Sequence, residues 1–186
     1  MITKEDLMRT FGDRDVLCIS AAAAADQIID ENTRSTMYEL GIPGQLGNAL
    51  VVSSSIPHEG LVTLSEHYPY GGSPVASRST GDYLWLASAV GGDVCLDGTT
   101  GGVFFVKPDY EPPVSRINTS LERFVECMFV IEREVLSEEV PNDPESYARL
   151  LNEIIGLTSA TDSEAFPGDA MFWQQVIDSY LQELAG

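Results

Sequence analysis

The chain has 186 residues, long enough for one domain with a substantial core. Its 44% apolar content excludes a wholly disordered chain. With 29 acidic and only 10 basic residues its formal net charge is -19, so its surface repels nucleic acid and draws in basic partners.

No charged-then-apolar leader opens the chain, and no apolar run approaches membrane-spanning length. The expected location is the cytoplasm, with no membrane partner. Cys18, Cys95 and Cys127 are widely spaced among apolar neighbours. They read as small buried hydrophobes of a reducing compartment.

Thr3 is placed to cap a short helix, with Asp6 three residues on. Leu7, Met8 and Phe11 form its buried side. Val16 to Ile19 is a short apolar run. Ala21 to Ala25, with Ile28 and Ile29, favours helix by propensity. Asn32 or Thr33 is placed to cap a two-turn helix with Met37 and Leu40 inside; Gly41 closes it and Pro43 prevents resumption. Ser53 to Gly60 reads as loop, and Leu61 to Leu64 as a strand that extends toward Tyr68. Pro69 to Gly81 carries Gly, Ser and Pro without periodicity and reads as a long connection.

Asp82 to Val106 is the organising stretch. Tyr83–Ala89, Val94–Asp97 and Val103–Val106 read as three strands, rich in residues that suit a half-buried pleat. Gly91-Gly92-Asp93 and Asp97 to Gly102 supply the reversals. These loops are too short for a crossover, so the strands form an antiparallel meander. Asn118 to Glu122 then opens the clearest helix, with Thr119 and Glu122 at capping-box spacing. Leu121, Phe124, Val125, Met128, Ile131 and Val135 form its apolar face, with Glu122, Glu126 and Glu132 pointing elsewhere. Asp143-Pro144 starts another helix, with Tyr147, Leu150, Leu151 and Ile154 inside and Gly156 just past its end. The last helix runs from about Asp169 to Leu184, with Trp173, Val176, Ile177, Tyr180, Leu181 and Leu184 on one stripe. The expected fold is α+β: a central, mainly antiparallel sheet flanked by N- and C-terminal helices, in one domain over residues 1–186.

Little catalytic chemistry is visible. His58 and His67 lack metal-ligand spacing from each other and from any cysteine. Asp93 and Asp97 read as turn residues, because Cys95 stands where a calcium loop needs an oxygen ligand. Gly71-Gly72-Ser73 and Gly101-Gly102 lack the Lys-Ser/Thr of a phosphate loop, and Ser53 to Ser55 lack the glycines of a nucleophile elbow. No cofactor is implied, and no basic patch invites nucleic acid. One feature is left. Glu126, Glu132, Glu134, Glu138, Glu139, Asp143 and Glu145 crowd the passage between two helices, interrupted by Arg133 alone among bases. It reads either as a solvated face or as a docking surface for a basic partner.

The order of signals resembles the fourth group of the SUKH superfamily of bacterial immunity proteins. The resemblance rests on Thr33-Arg34 with Leu40-Gly41-Ile42-Pro43, then Val94-Cys95-Leu96-Asp97 with Thr100-Gly101-Gly102-Val103. Asn118 to Phe124 and Phe172-Trp173 complete it. It implies an α+β fold without a catalytic site. It also implies a partner: a cognate polymorphic toxin, often a nuclease or nucleic-acid deaminase with a basic cleft, neutralised inside the cell that makes it. Two other readings stay open. One is an acidic DNA mimic that inhibits nucleic-acid enzymes. The other is a carboxylate-dependent hydrolase near Pro69 to Gly81.

Overall fold

A computed structural model describes residues 2–13, 15–20, 27–68, 83–107, 113–137, 140–141, 143–165 and 171–185. The expected α+β architecture is present. Strands β3 (Gln45–Leu46), β4 (Leu50–Val52), β5 (Val62–Thr63), β6 (Leu84–Ala89), β7 (Gly92–Leu96), β8 (Val103–Val106) and β9 (Val114–Asn118) form one antiparallel sheet. Its order is β3-β4-β6-β7-β8-β9, with β5 also on β6. A separate two-residue ladder joins β1 (Val16–Leu17) to β2 (Ile42–Pro43).

The meander is the centre of the sheet, as its composition predicts. Side chains alternate across it. Val94 and Leu96 face the main core, whereas Cys95 and Val106 join Leu64 in a small cluster on the opposite face. The main core is closed by three helices: α5 (Leu121–Ser137), α6 (Pro144–Thr161) and α7 (Met171–Ala185). α6 packs against both α5 and α7. The whole predicted stripe of α5, from Leu121 to Val135, is buried. Each such side chain contributes about 1.5–3 kcal/mol through burial. At the other end of the chain, α1 (Lys4–Phe11) carries the expected Thr3–Asp6 capping box, buries Leu7 and packs on α5.

Several local expectations are corrected. Residues 21–26 of the alanine-rich run lie outside the described residues. Ile28 and Ile29 after them are not helical; Ile29 N–H donates to the Gly98 carbonyl at 2.8 Å instead. α2 starts at Glu31 and is capped by Asp30, not by Asn32 or Thr33. The Asp30 carboxylate accepts from both the Thr33 N–H and the Thr33 hydroxyl at 2.7 Å. A carboxylate at this position also complements the helix dipole. After Ser35 the helix widens into a π-turn, Thr36–Leu40. It ends at Gly41 with φ +88°, where a Cβ would stand 2.6 Å from Val16 Cγ1. Only glycine fits there.

Ser53 to Gly60 contains a one-turn helix, α3 (Ile56–Glu59), which buries Ile56. The strand predicted from Leu61 stops at Thr63, because Thr63 and Glu66 form a capping box that opens α4 (Leu64–His67). The predicted connection Pro69 to Gly81 lies outside the described residues. Gly156 lies inside α6 rather than beyond its end. The helix continues to bury Thr158, whose hydroxyl returns to the Ile154 carbonyl at 2.8 Å. Leu184 belongs to the last turn of α7 but is 48% exposed, so it is not part of the inner stripe.

The start of α5 is also built differently. Ser120, not Thr119, caps it, accepting from the Arg123 N–H at 3.2 Å. Thr119 turns to Asp162 at the end of α6. That buried carboxylate accepts from the Thr119 N–H at 2.7 Å, the Thr119 hydroxyl at 3.0 Å and Asn118 Nδ2 at 3.1 Å. Asn118 Oδ1 in turn accepts from Trp173 Nε1 at 3.1 Å. Replacing Asp162 by alanine strands these donors in a buried site. The expected loss is about 3 kcal/mol in urea unfolding, whereas Ser120→Ala removes only a cap and loses about 1 kcal/mol. Equal losses in the two variants would show that Asp162 does not hold this junction.

Candidate functional site

The acidic passage divides into two kinds of residue. Glu126 is buried, although its place off the apolar stripe predicts exposure, and it pairs with Arg123 one turn earlier. Glu132 is half-buried and accepts from the Tyr180 hydroxyl at 2.7 Å, which bridges α5 to α7. Burial raises its pKa above the ordinary glutamate value, and the hydrogen bond from Tyr180 offsets part of that rise. Asp143 caps α6 by accepting from the Ser146 N–H at 2.9 Å; that bond holds its pKa below the usual aspartate value. These three carboxylates have structural work.

Glu134 and Glu145 are different. Glu134 engages Arg133 through Nε at 2.8 Å and Nη2 at 2.6 Å and remains partly exposed. Glu145 is exposed in the first turn of α6. Glu138 and Glu139 lie outside the described residues. The fold also adds carboxylates from α7 that helix-passage reasoning missed. Glu183 accepts from the Asn48 N–H at 2.8 Å and from Asn48 Nδ2 at 2.7 Å, fixing the β3–β4 turn to α7. Asp178 accepts from the Tyr147 hydroxyl at 2.7 Å, tying α7 to the start of α6. Their sequence signal was their place between the buried residues of the last helix, close to Tyr180.

The outer face of the sheet carries two adjoining concavities, of about 480 and 450 Å³, that share Val51 and Ser88. Asp93 in the first is not a turn residue. It is buried in β7 and accepts from the Tyr68 hydroxyl at 2.9 Å and from Trp85 Nε1 at 3.0 Å. Its neighbours explain the correction: two aromatic donors on a half-covered face need an acceptor. Burial and this hydrogen bond push the Tyr68 pKa up to about 12. His67 stacks on Trp85 with ring centroids 3.7 Å apart. Among the described residues, Asp15 is the one carboxylate lining the second concavity. Neither concavity brings two carboxylates together among the described residues, and the Pro69 to Gly81 segment of the hydrolase reading lies outside them. Asp97, by contrast, is the expected turn residue, accepting from the Thr99 N–H at 2.8 Å and the Thr100 hydroxyl at 2.7 Å.

Cys95 and Cys127 are buried free thiols, as their apolar neighbours predict, whereas Cys18 is only half-buried and its sulfur accepts from Lys4 Nζ at 3.1 Å. Burial raises the pKa values of Cys95 and Cys127, that of Cys127 to about 12. Among the described residues no group of His, Cys, Asp and Glu is arranged to hold a metal ion, and no helix is long and apolar enough to cross a membrane.

Of the passage acids among the described residues, Asp143 and Glu145 are exposed and Glu134 partly so, whereas the motif residues Thr33, Gly101, Asn118 and Trp173 lie inside the fold. The family model for SUKH-4 immunity proteins matches residues 2–179. The chain belongs to the SUKH-4 immunity protein family. An immunity role comes with that membership. No curated protein and no solved structure gives a significant match.

Glu132 in this SUKH-4 protein gives a pH test. Its pKa is raised in the folded state, so folding takes up a proton more readily there than the unfolded chain does. Its contribution is least favourable at neutral pH and is relieved as pH falls through the folded-state value toward the ordinary glutamate value. The stability of the parent protein minus that of Glu132→Gln should therefore rise on acidification from neutrality. A difference that is flat or falls over that window, measured by urea titration, would remove this role.

Proposed function

We propose that this chain neutralises a toxin protein with a basic surface, of the nuclease or nucleic-acid deaminase kind, by occluding that surface with its acidic helical layer. The action is binding without catalysis, inside the cell that makes the toxin. The observation that carries the reading is electrostatic. The net charge is -19, and the passage between α5 and α6 leaves Glu145 exposed and Glu134 partly exposed while its lone base, Arg133, is engaged by Glu134. A patch of one sign speeds encounter with its complement and disfavours wrong partners. Glu138 and Glu139 extend the same run in sequence.

The first experiment is co-expression of the chain with the toxin domain encoded beside it. Rescue of growth and co-elution of a complex support the reading; toxicity unrelieved and no complex would end it. The surface is then tested by Glu134→Lys/Glu145→Lys, which leaves Asp143 in place as the cap of α6. Glu145 is exposed, and Glu134 is partly exposed and bonded only to the solvent-facing Arg133, so the fold should be retained by circular dichroism. Association should slow by about tenfold or more at low salt, and the defect should shrink as salt is added. Unchanged association at low salt would place the interface elsewhere.

A further inference from the structure

We infer that the end of the helical layer where α5 and α7 finish is a docking surface with an apolar centre, Leu136 and Leu184, inside an acidic rim. Its partner presents an apolar contact ringed by lysine or arginine. This deepens the immunity reading above and rests on it.

The geometry comes from the seam between α5 and α7. The two helices run side by side in the same direction. Near its start the seam joins the Phe124 and Trp173 rings, with centroids 5.4 Å apart. Two turns later it joins Glu132 to Tyr180 at 2.7 Å. Leu136 and Leu184 each lie four residues beyond a member of that touching pair. Residues four apart stack on one helix face, one turn on. Leu136 and Leu184 therefore form the next step of the same seam. Earlier steps are buried, including Phe124, Met128, Trp173 and Ile177, yet Leu136 is 64% and Leu184 48% exposed. The seam keeps its apolar character one turn past the point where its own chain covers it. Single exposed leucines need no explanation, but two on one step of a buried seam are a patch.

The rim is acidic. Glu132 stands one turn before Leu136 on the same face of α5, and Glu183 precedes Leu184, its carboxylate fixed by Asn48. Tyr147 is held by Asp178, so the first turn of α6, with Asp143 and Glu145, reaches the same end. Arg133, engaged by Glu134, and Arg149 on α6 are the bases nearest in sequence. An apolar centre inside a charged rim is the anatomy of a protein interface. A second copy of the chain is disfavoured by its own charge, and nucleic acids and anionic lipids are repelled. A basic protein is the occupant that the charge fits.

The test uses the toxin domain identified by co-expression and measures binding rates on the full chain. Leu136→Gln/Leu184→Gln removes the apolar centre without changing charge. Leu157→Gln is the control: Leu157 is 38% exposed on α6 at the far end of the layer, beside Thr158, whose carbonyl faces Cys127. The double variant should bind about thirtyfold more weakly or worse, mainly through faster dissociation, at low and high salt alike. The control should stay within about twofold of the parent protein. A double variant within about twofold of the parent, or a control with the same loss, overturns the surface while the immunity reading stands. A parent chain that binds no toxin overturns both. Hydrogen exchange on the unmodified complex gives a readout that needs no variant to fold. Protection over the last turns of α5 and α7 supports the surface; protection confined to other elements overturns it.

Discussion

The buried Asp162 carboxylate is the constraint on which the helical layer depends. A charge of this kind is costly to bury unless its hydrogen bonds are met. Asn118 and Thr119 meet them at the point where β9 ends and α5 begins, and Trp173 closes the chain of contacts through Asn118. One network thus fixes the exit of the last strand, the start of α5, the end of α6 and the first turns of α7. Displacing any of these elements leaves a buried donor or acceptor without a partner. The network also explains why the cap of α5 falls to Ser120. Thr119 has the right spacing for a capping box, but its hydroxyl has a stronger partner in a buried carboxylate.

A second junction works in the same way at the start of α2. The turn from Asp97 to Gly102 docks on the start of α2. Gly98 accepts from the Ile29 and Asp30 N–H groups, at 2.8 and 3.2 Å. A Cβ on Gly101, whose φ is +74°, would stand 2.5 Å from Thr33 Oγ1 and 2.9 Å from Asp30 Oδ2. The short motifs that carry the family resemblance are thus the residues that join elements distant in sequence. Their role is architectural, which is why they say so little about the partner.

That distinction also marks what was legible in the sequence. The meander, α1, α5 and the start of α6 were legible because their signals are local: strand alternation with Gly turns, caps and 3.6-residue stripes. The short strands β3, β4 and β9 were not, since two to five residues give no period to read and their pairing is set by the meander beside them. The end of α6 was misplaced because Gly156 resembles a stop, while burial of Thr158 two residues later keeps the helix going. The acids were the least legible. In sequence Glu126 and Glu134 look alike. In the fold one is buried against Arg123, while the other pairs with Arg133 and keeps part of its side chain in solvent. Helix adjacency, not spacing, brought Glu183 and Asp178 to the acidic end.

The positions of the two features in the layer bear on how such a protein accommodates its partner. The Asp162 network sits where α5 starts; Leu136 and Leu184 sit where α5 and α7 finish. α5 has 17 residues, so the two ends are about 25 Å apart at 1.5 Å per residue. Sites at that distance with no shared partners contribute to stability almost independently. Leu136 and Leu184 are therefore free to change at little cost to the fold, whereas residues at the starting end are bound to one another by buried hydrogen bonds. Glu132 marks the border between the two regimes. On α5 it is satisfied by the fold itself, through Tyr180. One turn beyond it, among the described residues, Leu136 and Leu184 stand exposed, and in the docking reading a basic partner covers them.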